Sequence, residues 1–194
     1  MAHPFECEVR YSIPNIQDFE KKLENLGGRV IYPYEFTDFY YRPAAGNWDP
    51  THKNLRIREW KQPANPTTIY FTANEVVSTG EMQFKRAIYK EGKVPLYTGD
   101  LETCMFLLSD LGFVQWLTVE KKNAKLWELP QQGFNTAIEY IDVLGWVGEL
   151  EFEGTNVEEA EQQLHRSLKT LAIPNQSVTY KPISAIVAEK RGLL

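Results

Sequence analysis

Only two cysteines, three methionines and three histidines occur in the 194 residues, and this scarcity closes several routes. Cys7 and Cys104 stand far apart with no His or Cys close to either, so zinc-site spacing is missing and a disulfide framework is not expected. Both read as buried free thiols. No uninterrupted apolar run approaches the roughly 20 residues of a membrane helix. Met1 to Arg10 carries acidic residues where a signal peptide would have its apolar stretch. The expectation is therefore a cytoplasmic protein with no membrane partner. A Gly-rich phosphate loop, a Rossmann fingerprint and a His-rich metal motif are all absent. With a net charge of −5 and 24% charged residues, the chain has neither the composition of a disordered segment nor the basic excess of a nucleic-acid binder. No nucleic acid polymer is expected as a partner, while a homodimer is compatible with the sequence.

What the chain does have is 43% hydrophobic residues, enough for a sizeable core, and a length for which one domain over 1–194 is the simplest expectation. Phe5 to Tyr11 alternates apolar and charged residues with the period of a strand. Asn15 then caps a helix carrying Ile16, Phe19, Leu23 and Leu26, closed by Gly27-Gly28. Arg29 to Tyr41 reads as a bent strand around Pro33, and Leu55 to Trp60, Thr68 to Thr72 and Glu81 to Tyr89 as three more. Asp100 caps a second helix with an apolar stripe of Leu101, Met105, Leu108 and Leu111, closed by Gly112. Phe113 to Lys122, Lys125 to Leu129, Thr136 to Ile141 and Val147 to Phe152 follow as strands, and Asn156 caps a last helix that Pro174 stops. The repeated order of strand, helix ending in Leu-Gly, and strand hints at an internal duplication. The expected class is α+β, a mostly antiparallel β-barrel with flanking helices.

Charged residues recur on single strand faces: Glu6, Glu8 and Arg10; Arg56 and Arg58; Glu149, Glu151 and Glu153. Alternate positions such as Val9, Ile57, Leu150 and Phe152 are apolar and call for burial. A solvated sheet face explains any one such strand. Three Glu on one face repel, however, and two acidic strands with an Arg pair between them imply an external cation and an external polyanion. Mg²⁺ or Mn²⁺ takes carboxylate and phosphate oxygens, and Arg offers phosphate a planar fork that stays charged when buried. The joint pattern reads as metal plus polyphosphate.

Glu6-Cys7-Glu8-Val9-Arg10 resembles the Glu-x-Glu-x-Lys signature of CYTH proteins, with Arg in the Lys position. In the family's order follow Asp38-Phe39-Tyr40-Tyr41, Leu55-Arg56-Ile57-Arg58 and Gly145 to Glu151, which resemble its Asp-x-Tyr-Tyr, Leu-Arg-x-Arg and Gly-x-x-x-Glu-x-Glu segments. The resemblance spans Phe5 to about Ser184. It implies a triphosphate tunnel of antiparallel strands, with Mg²⁺ or Mn²⁺ as cofactor and a triphosphate-containing small molecule as partner. Glu6, Glu8, Glu139, Glu149 and Glu151 would be metal-side carboxylates, and Arg10, Arg56, Arg58, Lys85 and Lys122 would hold the substrate. Glu6, Glu8 and Arg58 would be catalytic. The chain departs from the pattern at Thr72, where a Lys is common, at Asn123 or Ala124, where an Arg is frequent, and in Glu81 to Tyr89, which lacks a recognisable Arg-x-Glu-x-Glu. Fewer basic residues weaken charge stabilisation in phosphoryl transfer. A hydrolase of inorganic, thiamine or nucleoside triphosphate is the leading expectation. A class IV adenylyl cyclase, a non-catalytic polyphosphate-binding module and a barrel with structural ion pairs are the alternatives.

Overall fold

The computed structural model describes residues 5–79, 82–89, 92–154 and 156–194, with the side chains of residues 5–7, 79, 82–85, 153 and 154 outside that description. The chain runs β1 (Phe5–Ser12), α1 (Ile16–Asn25), β2 (Arg29–Pro43), β3 (Lys53–Gln62), β4 (Thr67–Thr79), β5 (Met82–Ala87) and β6 (Val94–Gly99). It continues through α2 (Leu101–Asp110), β7 (Phe113–Leu129), β8 (Phe134–Ile141), β9 (Gly145–Gly154), α3 (Val157–Thr170), β10 (Val178–Thr179) and α4 (Ile183–Lys190). The three capped helices begin where the sequence places them. Asn15, Asp100 and Asn156 each accept backbone N–H groups of the first turn, satisfying donors the helix cannot.

All pairing described is antiparallel, in the order β10-β1-β9-β8-β7-β2-β3-β4-β5, with β6 also on β4. The two long strands β2 and β7 pair at the centre, and each half lends its first strand to the other: β1 lies on β9, and β6 on β4. The topology thus repeats in the way the two Leu-Gly helix ends hint. The sheet curls until β5 comes within 8 Å of β1, Cα to Cα. No ladder joins those two strands among the described residues, so the architecture is a curled, open sheet with flanking helices rather than a demonstrated closed barrel.

The period of two along each strand separates two surfaces. On the outer face Val9, Tyr11, Trp127, Leu150 and Phe152 pack under α1 and α3, while Leu55, Ile57 and Ile69 pack under α2. α2 buries Cys104 and Leu108, whereas Met105 and Leu111 of the expected stripe are exposed. On the inner face α4 covers one end, seating Ile183 and Val187 on Tyr40, Leu117, Val119 and Val147. A smaller cluster of Tyr34, Phe36, Ala124, Trp60 and Leu126 occupies the other end. Between these two apolar plugs lies the polar stretch of the inner face.

β7 is one 17-residue strand where the sequence suggests two. Asn123 takes a left-handed φ of 48°, and the register with β8 shifts between Lys122 and Lys125. This bulge reverses which residues face inward, since one extra residue moves a period-two pattern to the opposite face. Ahead of it Lys121 points in; beyond it Ala124 and Leu126 do.

Candidate functional site

The inner face encloses a cavity of about 280 Å³. β3 contributes Asn54, Arg56, Arg58 and Trp60 in a row, because every second residue of a strand faces the same way. β1 adds Glu8 and Arg10, β9 adds Glu149 and Glu151, β2 adds Tyr34, Phe36, Asp38 and Tyr40, and β7 and β8 add Lys121 and Glu139. Glu8 stands directly opposite Glu151 across the β1–β9 ladder, and Arg10 opposite Glu149.

Three charge groups organise the cavity. Arg10 pairs with Glu8, donates from Nη2 to Glu149 Oε2 at 2.9 Å and from Nη1 to the Lys181 carbonyl at 3.0 Å. Asp38, 1% exposed, accepts Arg58 Nε and Nη2 on its two oxygens, each at 2.7 Å, and lies 3.3 Å from Arg56 Nε. Burial alone would raise the Asp38 carboxyl, but the Arg58 and Arg56 guanidinium groups hold it below its ordinary range. Burial likewise opposes the Arg58 charge, and the adjacent Asp38 carboxylate outweighs that and raises its already high pKa. The Arg58 guanidinium also sits 3.6 Å from the Phe36 ring centre, a cation–π contact.

The third group is Lys121, Glu139 and Tyr34. Lys121 Nζ donates to Glu139 Oε1 at 2.7 Å, and the Tyr34 hydroxyl donates to the same oxygen at 2.5 Å. Burial, followed by the Glu139 and Glu149 charges, pushes the Tyr34 phenol far up, so it stays protonated. Burial and Asp38 push Tyr40 up to about 12. Asn54, Thr72, Asn74 and Ser184 add neutral polar groups to the lining and Lys93 a further cation, and Ser184 Oγ donates to Asn54 Oδ1 at 2.9 Å.

Of the residues singled out from the sequence, the structure brings Glu8, Arg10, Arg56, Arg58, Glu139, Glu149 and Glu151 to this one cavity. The side chains of Glu6 and Lys85 lie outside the described residues. Lys122 is a correction: the strand turns it outward, where it pairs with Glu120 at 2.9 Å and Asp142 at 3.1 Å, and the lysine at the cavity is its neighbour Lys121. Glu139 lines the cavity with one oxygen engaged, its Oε1 accepting from both Lys121 and Tyr34. Asp38, Lys121, Tyr34 and Tyr40 join the lining beyond the residues that the charged strand faces point to. For Asp38 a signal exists in its strand parity with Tyr40 and Phe36, and for Lys121 in its parity with Leu117 and Val119, which the bulge beyond it breaks.

Among the described residues no three His, Cys, Asp or Glu side chains group closely enough to enclose a metal ion. Mg²⁺ does not require such a cage, since one or two carboxylates plus phosphate oxygens and water suffice. The facing pair Glu8 and Glu151, with Glu149 beside them on β9, supplies hard oxygen donors of that kind. Among the described residues no helix is long and apolar enough to cross a membrane.

The family model of the CYTH domain matches residues 4–181, most of the chain. The chain belongs to the CYTH family of the triphosphate tunnel metalloenzyme superfamily. Among solved structures it is similar to the PH1819 protein from Pyrococcus horikoshii OT3, at 19% identity over 96% of this chain and 100% of that one, with a TM-score of 0.73. It is also similar to a putative adenylate cyclase from Vibrio parahaemolyticus, at 15% identity over 95% and 98% of the two chains, with a TM-score of 0.70. A third is HpAC1 from Hippeastrum, a putative adenylyl cyclase described as having a dominant triphosphatase activity, at 14% identity over 98% and 97%, with a TM-score of 0.64. No curated protein matches this chain significantly in sequence. Family membership supports a triphosphate-binding hydrolase or cyclase activity in general.

Proposed function

We propose that the chain is a single-domain, metal-dependent triphosphatase that holds its substrate along the inner face of the sheet. The observation that carries this reading is the meeting of a cationic row on β3 with a facing carboxylate pair on β1 and β9 in one cavity. The triphosphate moiety lies against Arg56, with Arg10, Arg58 and Lys121 adding positive potential. Mg²⁺ or Mn²⁺, held by Glu8, Glu149 and Glu151, would polarise a phosphoryl oxygen when bound. Glu8 orients the attacking water. Tyr34 and Tyr40 remain phenols at neutral pH and serve as hydrogen-bond donors rather than bases. Hydrolysis adds water across one anhydride, releasing a phosphate group from the remainder. Positioning and charge supply most of the catalysis in such transfers.

Hydrolase is favoured over cyclase by the triphosphatase activity described for the Hippeastrum relative of like fold. The test is a product-resolved assay of the pure protein with inorganic tripolyphosphate, thiamine triphosphate and ATP, each with Mg²⁺ or Mn²⁺. Release of phosphate from one of them supports a triphosphatase, whereas pyrophosphate with cyclic AMP from ATP assigns a cyclase. Binding without products leaves a polyphosphate-binding module.

A further inference from the structure

The inner face changes character along its length. On β3 the inward row runs Asn54, Arg56, Arg58 and then Trp60, and on β2 it runs Tyr40, Asp38 and then Phe36, Tyr34 and Tyr32. The rings at that end touch in series. Trp60 meets Phe36 at 5.0 Å between centroids, Phe36 stacks on Tyr34 at 5.7 Å, and Tyr34 meets Tyr32 at 5.9 Å. The bulge in β7 extends this apolar wall. Counting on in twos from Lys121 would bring Asn123 and Lys125 inward, whereas the bulge brings Ala124 and Leu126 in and leaves Lys125 to pair with Glu20. The rings are not equally available. Tyr34 donates to Glu139, and Phe36, 3% exposed, carries Arg58 and Lys121 against its ring. Trp60 is only half-buried and Tyr32 is 44% exposed, both at the cavity. A cluster that served packing alone would bury its largest rings. The other end is covered by α4, with Ser184 tied to Asn54.

We infer that this aromatic end is a subsite for a planar aromatic ring joined to the polyphosphate, with Trp60 and Tyr32 as its specificity-determining residues. The substrate class is then an organic triphosphate that carries such a ring, in preference to inorganic tripolyphosphate. The order along β3 fits a ligand with a charged head and an aromatic tail. At the rise of a strand, Trp60 lies about 7 Å beyond Arg58 and about 13 Å beyond Arg56. Phosphates held at the arginines therefore leave the organic end of the ligand level with Trp60. An indole and a phenol present π-faces that stack on any planar ring, whatever its hydrogen-bonding edge. A nucleobase and the rings of thiamine share that chemistry. This inference rests on the triphosphate reading above.

The experiment is calorimetric titration, with Mg²⁺, of inorganic tripolyphosphate, ATP, GTP and thiamine triphosphate into the wild type, Trp60→Leu and Tyr32→Ser, using the β,γ-imido form of any ligand that is turned over. Leucine keeps an apolar cover on Phe36 but has no ring face. The wild type is expected to bind at least one ring-bearing ligand about tenfold tighter than tripolyphosphate, the factor for one stacked ring. The ligand that does so identifies the ring. Trp60→Leu is expected to bring that ratio down to about twofold or less, and Tyr32→Ser to lower it in the same direction. Tripolyphosphate bound as tightly as every ring-bearing ligand overturns the inference while the triphosphate reading stands. A ratio that survives in Trp60→Leu overturns it too, since the ring would then serve packing alone. If Trp60→Leu does not fold, Tyr32→Ser, which alters only the exposed rim, decides by the same ratio. Failure of the wild type to bind any of the four ligands removes both the functional reading and this inference.

Discussion

Replacing Asp38 by Asn removes one charge and almost no volume, yet it should be among the most damaging single changes to the empty protein. The carboxylate is 1% exposed and stands between two guanidinium groups, accepting two 2.7 Å hydrogen bonds from one and lying 3.3 Å from the other. An Asn side chain offers one acceptor in place of two, and its amide nitrogen would face an Arg58 donor. Two buried cations are then left without their anion. Removing one partner of a buried pair costs about 3–5 kcal/mol, a large share of a typical domain stability of about 5–15 kcal/mol. For a chain of this length each kcal/mol moves the melting temperature by about 2–4 °C. The expected drop is thus roughly 6–20 °C. Added tripolyphosphate should restore more stability to Asp38→Asn than to wild type, since the ligand replaces the missing negative charge and binding to the folded state stabilises it. Urea and thermal melts with and without the ligand measure both effects. A loss below about 1 kcal/mol, the range of exposed ion pairs, would refute the claim that Asp38 anchors the site.

Three further outcomes are expected. Asp38 has a folded pKa below its unfolded value, so its stabilising contribution is complete above about pH 4 and is lost as pH falls through the lower folded value. Melts of wild type against Asp38→Asn from pH 7 to 3 should therefore begin to approach one another below about pH 4, and parallel curves would contradict the shift. A Cβ at Gly148 would fall 2.1 Å from Tyr11 Cζ, so Gly148→Ala must displace Tyr11 from its 2.7 Å hydrogen bond with Thr136; a loss of about 1–3 kcal/mol is expected in urea melts, and a neutral result would refute the packing. Lys121→Ala should weaken Mg²⁺-tripolyphosphate binding by several-fold or more while Lys122→Ala leaves it within about twofold, because only the former lines the cavity; the reverse ranking would place the bulge wrongly.

Much of this site is legible from period-two alternation alone. Glu8, Arg10, Arg56, Arg58, Glu149 and Glu151 share the inner face because their strands keep a regular pleat. The parity rule fails where the strand itself is irregular. Asn123 inserts a bulge that carries the inward face from Lys121 before it to Ala124 and Leu126 beyond it, so counting back in twos from the far half lands on Lys122. Helix starts are equally readable, since a cap is a local interaction, but which face of α2 is buried depends on the sheet beneath it, and Cys104 goes in while Met105 stays out. The strand β6, the two-residue β10 and the short helix α4 carry little local signal because each is held by partners distant in sequence, such as Asn54 for Ser184. The partners of Glu139 belong to the same class: one of its oxygens accepts from Tyr34, 105 residues away.

The most direct test of the account is a crystal structure of the protein soaked with inorganic tripolyphosphate and Mn²⁺, using the anomalous signal to locate the metal. The expected result is the anion on the Arg56 guanidinium, with a manganese peak between it and the carboxylates of Glu8, Glu149 or Glu151. Anion and metal bound away from the inner face, or a cavity that stays empty while both are present in excess, would contradict it.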